Sequence, residues 1–188
     1  GEEALFDTVE GALELGIEWL TVYAFSTENW RRPADEVRFL MGFNETLLLR
    51  RRDELHAKHV RVRYIGRRDW RVPKRVQRNI DEAVEMTRKN RRMTLNLAFN
   101  YGGRAEIVDA VRSLVASGVP ADKITEKRLR AHLYAPDMPD PEMMIRTSGR
   151  LGAMMSLREL SGSSAGSMPA AASSGRVSSK IRPLERAM

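Results

Sequence analysis

Apolar residues along the first 149 positions follow two periodicities, one typical of strands and one typical of helices. Short runs rich in β-branched and aromatic residues, such as residues 17–25 and 93–99, predict buried strands. Longer segments between them repeat apolar residues every three or four positions and predict amphipathic helices. The predicted strands are 17–25, 60–65, 93–99 and 143–146, and the predicted helices are 3–15, 33–56, 73–90, 104–115 and 125–133.

Strands that alternate with helices predict a single α/β domain over residues 1–149, in which a mostly parallel β-sheet is flanked by helices. The carboxyl ends of parallel strands meet at one edge of such a sheet, where ligands bind. Three predicted strands run into polar segments, after Phe25, after Phe99 and after Ile145. The sequence therefore predicts a site at that edge.

Two predicted helices carry apolar stripes that we expect to face inward. In the helix over 104–115 the stripe is Ile107, Val108, Val111 and Leu114. In the helix over 33–56 the stripe is Phe39, Leu40, Phe43, Leu47 and Leu48. Ordinary core packing is the simplest role for these side chains.

Residues 150–188 differ in composition from the preceding domain. Between positions 161 and 179, 15 of 19 residues are Ser, Gly or Ala, and no amphipathic period is present. Such a segment buries too little apolar surface to offset the entropy of ordering it. We expect a disordered tail, and our hypothesis is that it is a frame-shifted or fused sequence.

Net charge gives little information about the partners of this chain. The 188 residues carry a formal net charge of +7, but six basic and two acidic residues after Gly149 supply four of those charges. The remainder of the chain is only mildly basic, which is weak support for nucleic-acid binding. One possible function is an RNA-binding module. The few aromatic residues do not interleave with Lys and Arg in the way that would let them stack on bases, which argues against it.

Other compositional features exclude several kinds of site. The chain contains no Cys, and its three His residues are scattered, so neither a disulfide framework nor a thiolate or histidine metal cluster is expected. Charged residues interrupt every apolar run before it reaches the length of a membrane span. The acidic start, Gly1-Glu2-Glu3, lacks the basic region of a signal peptide. We expect a cytoplasmic protein.

The segment over 21–33 carries the strongest candidate chemistry. It begins as the apolar end of a strand, turns polar at Ser26, and reaches Pro33, a residue common at helix starts. Within seven residues it holds hydroxyls, a carboxylate, an amide, an indole and two guanidinium groups, which are Ser26, Thr27, Glu28, Asn29, Trp30, Arg31 and Arg32. A loop that only turned the chain would favour Gly, Asn and Ser over Trp and Arg.

This segment, Phe-Ser-Thr-Glu-Asn-Trp followed by Arg32 and Pro33, resembles the signature of the cis-prenyltransferases, the undecaprenyl or decaprenyl diphosphate synthase family. Three further segments match the order and spacing of that family. They are Glu-Val-Arg-Phe-Leu-Met at 36–41, Asn-Tyr-Gly-Gly-Arg at 100–104, and Ile-Arg-Thr-Ser-Gly at 145–149. The resemblance spans residues 1–149 and implies the family's fold.

The resemblance implies that isopentenyl diphosphate is condensed onto an allylic diphosphate, such as farnesyl diphosphate, to make a polyprenyl diphosphate lipid carrier. It implies that Arg32 holds the allylic diphosphate and Arg146 holds isopentenyl diphosphate. Guanidinium groups suit this role because they form bidentate, charge-assisted hydrogen bonds to phosphate oxygens. A surface ion pair is the structural alternative for each.

The same resemblance implies that Asn29 lies near the departing proton and is the catalytic residue. An amide is a poor base at neutral pH, so we interpret it as a positioner or relay. Ser26, Thr27 and Glu28 match the segment that lines the substrate. Trp30 can pack against prenyl carbons or cover a cationic allyl group. The apolar residues of helix 33–56 are candidates to line a hydrocarbon tunnel.

The family uses Mg²⁺, and the resemblance places its aspartate ligand upstream of Gly1, so no metal ligand is assigned here. The Asp137-x-x-Asp140 spacing lies in a proline-broken loop, and we reject it as a magnesium motif. The resemblance also implies a homodimer, no nucleic-acid partner, and peripheral membrane contact for product release. It predicts that the chain is catalytically incomplete, and it leaves open a non-catalytic accessory subunit of a heteromeric synthase.

Asn100, Tyr101 and the glycines that follow are assigned a structural role. Gly102 and Gly103 permit a tight turn into the next helix, and Asn100 or Tyr101 is expected to brace the site loop.

Overall fold

The computed structural model describes residues 2–147 and 151–156. The five helices of this part are α1 Glu2–Glu14, α2 Ala34–Ala57, α3 Lys74–Thr87, α4 Gly103–Ala116 and α5 Glu126–Ala131. The five strands are β1 Trp19–Ser26, β2 Val60–Ile65, β3 Met93–Tyr101, β4 Met143–Thr147 and β5 Leu151–Ser156. Short 3₁₀ turns cover Thr27–Arg31 and Ala121–Lys123.

The sheet has the order β2-β3-β1-β5-β4. Strand β3 pairs in parallel with both β1 and β2, which confirms a mostly parallel α/β sheet. Strand β5 runs antiparallel to β1 and to β4, so β4 points the same way as β1. The carboxyl ends of β1, β2, β3 and β4 therefore lie at the same edge, as the sequence predicted.

Local signals explain several element boundaries. Pro33 and Pro73 directly precede α2 and α3, where a missing backbone N–H has no cost because the first turn of a helix leaves it unpaired. The hydroxyl of Thr125 accepts a hydrogen bond from the backbone N–H of Arg128 and caps α5. After α1, Gly16 adopts a left-handed backbone conformation, which is common just beyond the end of a helix.

Strand β5 was not predicted. It lies within residues 150–188, which we expected to lack regular structure, and it differs from that expectation over Leu151–Ser156. The reason is long-range: an apolar segment is stabilised as a strand by pairing with β1 on one side and β4 on the other. Residues 157–188 lie outside the described part of the chain.

The apolar core fills one face of the sheet. Leu20 and Val22 of β1, Leu95 and Leu97 of β3, and Val62 of β2 point to this face and are almost fully buried. Side chains of α1, α2 and α3 complete the cluster, including Phe6, Val9, Leu55, Val76 and Ile80. Burial of apolar surface on this scale is the main favourable term in folding.

The opposite face is more polar. Thr21 of β1 and Asn96 of β3 are buried there, and the Asn96 amide donates to the Thr21 hydroxyl at 3.1 Å. Arg63 of β2 forms two hydrogen bonds to the Asp137 carboxylate. The alternating strands thus place apolar residues on one face and polar ones on the other.

Helix α4 corrects one prediction. Ala110 and Leu114 are fully buried, but Ile107, Val108 and Val111 are 53%, 45% and 43% exposed rather than inward. The helix buries a narrow face centred on two residues four positions apart. Its apolar stripe is wider than that face, so the flanking residues remain in contact with solvent.

Helix α2 also differs from the expected pattern. Phe39 is 71% exposed, so it belongs to neither the core nor an enclosed tunnel, whereas Leu40 packs against the core. The side chains of Phe43, Leu47 and Leu48 lie outside the described part of the structure.

None of the helices in the described ranges is both long and apolar enough to cross a bilayer.

Candidate active site

The polar segment after β1 is a single 3₁₀ turn at the carboxyl edge of the sheet. The turn Thr27–Arg31 follows Ser26, the last residue of β1, and two residues separate it from α2. Ser26, Thr27, Asn29 and Trp30 are half-buried, while Glu28 is exposed. The structure therefore brings five predicted site residues together in one compact turn.

Asn29 is held by the backbone of the same turn. Its side-chain oxygen accepts a hydrogen bond from the backbone N–H of Ser26 at 2.7 Å. Because a backbone N–H can only donate, the atom facing it is the oxygen of the amide and not its nitrogen. The NH₂ group of Asn29 is therefore the part suited to contact a ligand, and it can only donate.

Glu28 supplies a negative charge at this turn. Hydrogen bonding to its own backbone N–H lowers the pKa of the Glu28 carboxyl, and the hydroxyls of Ser26 and Thr27 and the charge of Arg31 lower it further. The carboxylate is ionised at neutral pH and accepts hydrogen bonds.

Trp30 is fastened to the scaffold on several sides. Its indole N–H donates to the side-chain oxygen of Asn100 at 2.7 Å. Its ring meets Phe25 edge to face with the centroids 4.9 Å apart, and the Arg71 guanidinium lies 5.3 Å from its centroid. These contacts make Trp30 an anchor of the turn, and its expected contact with prenyl carbons stays a prediction.

Arg32 lies just beyond the turn in an exposed position. Its guanidinium forms an ion pair with Glu36, one helical turn along α2, at 3.0 Å, and the two side chains are 40% and 50% exposed. Exposed pairs of this kind contribute roughly 0–1 kcal/mol to stability. The pair leaves Arg32 accessible to a ligand.

Arg146 is placed by the backbone alone, because its side chain lies outside the described part of the structure. It belongs to β4 and pairs with Gly152 of β5. Ile145 and Val22 both pair with Ala153, so Arg146 is level with Tyr23 of β1. Two strand spacings separate them, about 10 Å. Whether the Arg146 side chain reaches the turn stays a prediction.

A second group of residues at this edge was not predicted from sequence. The loop 67–71 after β2 approaches the end of β3, where Asn100 donates to the backbone oxygen of Arg67 at 2.9 Å and to the Asp69 carboxylate at 3.2 Å. Asp69 also binds Arg71 through two of its guanidinium nitrogens. The sequence indicated a bracing role for Asn100 but carried no signal for its partners, which lie about thirty residues away.

A network of carboxylates and phenols extends this edge toward α4. Arg67 forms a bidentate pair with Asp109, with both nitrogen–oxygen distances at 2.7 Å. Arg67 lowers the pKa of the Asp109 carboxyl, and the Tyr134 hydroxyl lowers it further by donating to it. Burial raises the pKa of Tyr134 to about 12. The Asp109 carboxylate is thus a fixed charge that holds the loop after β2 against α4.

Tyr101 and Glu106 form the adjoining part of this network. The Tyr101 hydroxyl donates to one oxygen of Glu106 at 2.8 Å, and the backbone N–H of Tyr134 donates to the other at 2.8 Å. Burial, followed by the hydrogen bond to Glu106, raises the pKa of Tyr101. Tyr101 is paired with Ser26 in the sheet, so this network lies directly beside the candidate site.

The described residues do not form a metal site. No group of three or more His, Asp or Glu side chains within them is placed to hold a metal ion. Asp137 forms an ion pair with Arg63, and Asp140 forms one with Arg130. Both carboxylates are solvent-exposed and have an arginine partner.

Comparison with known proteins identifies the family to which this fold and this turn belong. Residues 1–153 match the protein family described as "Putative undecaprenyl diphosphate synthase". The chain belongs to the undecaprenyl diphosphate synthase family. The resemblance drawn from its sequence motifs is thereby confirmed.

Curated relatives in this family share about half of their residues with this chain over the matched region. A trans,polycis-polyprenyl diphosphate synthase ((2Z,6E)-farnesyl diphosphate specific) of Thermobifida fusca is 54% identical over 153 residues, which cover 79% of this chain and 54% of the relative. A decaprenyl diphosphate synthase of Mycobacterium tuberculosis is 48% identical over 153 residues, covering 79% and 51%. The chain thus spans about half the length of these relatives.

Two solved structures share the fold of this chain. A probable undecaprenyl diphosphate synthase from Campylobacter jejuni matches with a TM-score of 0.65 at 31% identity, covering 72% of this chain and 64% of that one. Lavandulyl diphosphate synthase from Lavandula x intermedia, in complex with dimethylallyl diphosphate, matches with a TM-score of 0.64 at 33% identity, covering 69% and 57%.

Proposed function

We propose that this chain forms part of a cis-prenyl transferase that condenses isopentenyl diphosphate onto an allylic diphosphate resembling farnesyl diphosphate. The turn Thr27–Arg31, at the carboxyl edge of the sheet of a prenyltransferase-family protein, is the observation that carries this proposal. The relative from Thermobifida fusca is named for farnesyl diphosphate, which supports that choice of primer. The product is a polyprenyl diphosphate lipid carrier.

The reaction makes one carbon–carbon bond and breaks one carbon–oxygen bond. The bond forms between the isopentenyl unit and the allylic carbon, whose diphosphate leaves with the bonding electrons. A proton leaves the isopentenyl unit as the new cis double bond forms. The protein must therefore hold two diphosphates and orient the two carbon atoms that react.

Arg32 is suited to hold the allylic diphosphate. Its ion pair with Glu36 is exposed and therefore weak, so a ligand with several negative charges can replace that carboxylate. A guanidinium then forms parallel hydrogen bonds to two phosphate oxygens. Arg146 is proposed to do the same for isopentenyl diphosphate from the end of β4.

Asn29 is proposed to orient the reacting groups rather than to remove the proton. Its amide oxygen is already engaged by the backbone of Ser26, and its NH₂ group can only donate. A diphosphate oxygen or a water molecule is the proton acceptor in this proposal. Ser26, Thr27 and Glu28 line the substrate beside it.

The family resemblance implies Mg²⁺ as the cofactor. The residues that the structure describes do not form a site for this ion, because they contain no cluster of carboxylates that could hold it. We derive no step through the metal. We expect the chain alone to form no long product for the same reason. An accessory subunit of a heteromeric synthase is the second candidate.

The remaining partners are expectations from the family. We propose a homodimer that acts in the cytoplasm, with peripheral membrane contact for release of the product. Size-exclusion chromatography with light scattering tests the dimer, and vesicle flotation tests the membrane contact.

A chimera provides the direct test of the proposed function. Residues 1–153 of this chain replace the matched region of the Thermobifida fusca relative, and product is measured with labelled isopentenyl diphosphate, farnesyl diphosphate and Mg²⁺. We expect polyprenyl product from the chimera. A folded chimera that forms no product contradicts the enzymatic role. If this chain nevertheless raises the activity of the intact relative when mixed with it, the accessory role is supported.

Two variants of the chimera test the residue roles. Asn29→Ala is expected to lower kcat more than it raises KM, because it removes an orienting donor. Arg146→Ala is expected to raise KM for isopentenyl diphosphate, since a charge-assisted hydrogen bond worth about 1.5–3 kcal/mol is lost. Unchanged kinetics in both variants would remove the proposed roles.

A further inference from the structure

Asn100 occupies an unusual position at the end of β3. The residue is fully buried, and its backbone φ of 52° lies in the left-handed region. Asparagine enters that region more readily than most residues, but doing so still costs free energy. Such a conformation persists only where the surrounding contacts hold it.

The Asn100 side chain joins two segments that are distant in sequence. Its oxygen accepts from the indole N–H of Trp30, while its nitrogen donates to the backbone oxygen of Arg67 and to the Asp69 carboxylate. The backbone oxygen of Asn100 also accepts from the N–H of Arg67 at 3.1 Å. One buried amide therefore links the turn after β1 to the loop after β2.

These contacts close into a ring. Trp30 donates to Asn100, Asn100 donates to Asp69, Asp69 binds Arg71, and the Arg71 guanidinium lies 5.3 Å from the centre of the Trp30 ring. Networks of this kind strengthen when every member is satisfied. Loss of the amide interrupts the ring at two points.

Close backbone packing surrounds this ring. A side-chain carbon added at Gly66 would lie 2.0 Å from the backbone oxygen of Phe99. One added at Gly102 would lie 2.2 Å from the Thr27 hydroxyl oxygen. The segments after β1, β2 and β3 thus meet without spare space.

We propose that Asn100 is a positioning residue, whose buried amide holds the turn that carries Asn29 against the loop 67–71. The part of this proposal that concerns diphosphate binding rests on the proposed function. The part that concerns the turn itself rests only on the contacts above.

Hydrogen exchange of the full chain tests the turn. Asn100→Gly removes the amide but tolerates the left-handed backbone. Backbone exchange over residues 26–31 is expected to rise about tenfold, as for loss of one or two hydrogen bonds, while exchange over 94–97 stays unchanged. Unchanged exchange over 26–31, or an equal rise throughout the sheet, would overturn the proposal.

A matched control and a second variant sharpen this test. Asn90 is also a buried amide, and it donates to the backbone oxygen of Val60 at the opposite edge of the sheet. Asn90→Gly should raise exchange there and leave residues 26–31 unchanged. Trp30→Phe keeps an aromatic side chain but removes the indole N–H donor. It should therefore raise exchange over 26–31, and it provides the test if Asn100→Gly fails to fold.

Binding of a non-hydrolysable probe, farnesyl thiodiphosphate, tests the link to the site. Calorimetry on the full chain is expected to show about tenfold weaker binding for Asn100→Gly and unchanged binding for Asn90→Gly. Equal weakening in both variants would contradict a positioning role. If the unmodified chain does not bind the probe, the same binding comparison is made in the chimera with the Thermobifida fusca relative. A folded chimera that forms no product puts the proposed function at fault, and hydrogen exchange alone then decides the role of Asn100.

Discussion

Trp30 and Arg32 lie two residues apart and have opposite environments. Trp30 is half-buried, packs against the core, and has partners on β1, in the loop 67–71 and at the end of β3. Arg32 is exposed, and the structure pairs it with a single carboxylate one helical turn away.

Within this short motif, Trp30 positions the turn and Arg32 is available to bind a ligand. A residue with several distant partners determines where the turn lies, whereas an exposed residue with one weak partner can exchange that partner for a ligand. Rigid support for a small number of accessible groups is what a binding site needs. We therefore expect substitution of Trp30 to lower stability and substitution of Arg32 to weaken ligand binding.

Trp30→Ala is expected to have the largest effect on stability. It removes the indole hydrogen bond, the contact with Phe25 and the contact with Arg71, and should lower the free energy of unfolding by about 2–4 kcal/mol. Urea denaturation measures this change. Trp70, 89% exposed, is the matched control, and Trp70→Ala should change stability by less than about 0.5 kcal/mol. Similar losses in both variants would refute the anchoring role of Trp30.

Gly102→Ala tests the packing beneath the turn. The added methyl group would meet the Thr27 hydroxyl at 2.2 Å, so we expect a loss of about 1–3 kcal/mol, partly recovered in the double variant with Thr27→Ala. Gly11, inside α1, has nothing within 4 Å of the added carbon. Gly11→Ala should therefore stabilise the protein by about 0.5–1 kcal/mol. Thermal unfolding of these three variants shows whether each substitution lowers or raises stability.

Asp109→Asn tests the anchoring of the loop after β2 through its pH dependence. The folded-state pKa of Asp109 is lowered by Arg67, so the carboxylate stabilises the fold above its unfolded pKa of about 3.9. That contribution is lost as the pH falls through the lowered pKa. The variant should therefore be less stable by about 1–2 kcal/mol at pH 7, with the difference shrinking below about pH 4. A difference that stays constant from pH 7 to pH 3 would contradict this assignment.

Arg32→Ala should have the smallest effect on stability. Loss of an exposed ion pair is expected to change the free energy of unfolding by less than about 0.5 kcal/mol. Binding of farnesyl thiodiphosphate should nevertheless weaken about tenfold or more, because a charge-assisted contact is lost. Arg88, which pairs with Glu85 on α3 in a similar exposed arrangement, is the control, and Arg88→Ala should leave binding unchanged. A large stability loss for Arg32→Ala would remove the distinction between the two residues.

Much of the fold could be predicted from local pattern. The strands over 60–65 and 93–99, the helix starts after Pro33 and Pro73, and the cap at Thr125 each depend on residues within one or two turns of chain. The candidate site was also locatable, since a polar segment directly after a buried strand identifies the carboxyl edge of a parallel sheet. Its motif was specific enough to identify the family.

Other features had no local signal. The apolar stripe of α4 indicated burial of Ile107, which the structure leaves exposed, because the pattern shows which residues are apolar and not how wide a surface covers them. Strand β5 depends on its pairing with β1, which lies about 130 residues earlier in the chain. The Arg67–Asp109 pair likewise joins residues 42 positions apart.

Local sequence is sufficient to predict the type and approximate extent of most elements and the chemistry of the turn after β1, because hydrophobic periodicity, prolines and capping residues act over a few positions. The strand order, the direction of β5 and the contact between Trp30 and Asn100 depend on tertiary packing. The indole and the Asn100 amide are 70 residues apart and meet because β1 and β3 are neighbours in the sheet. Such a contact depends on how complete elements pack, and no local window of sequence contains that information.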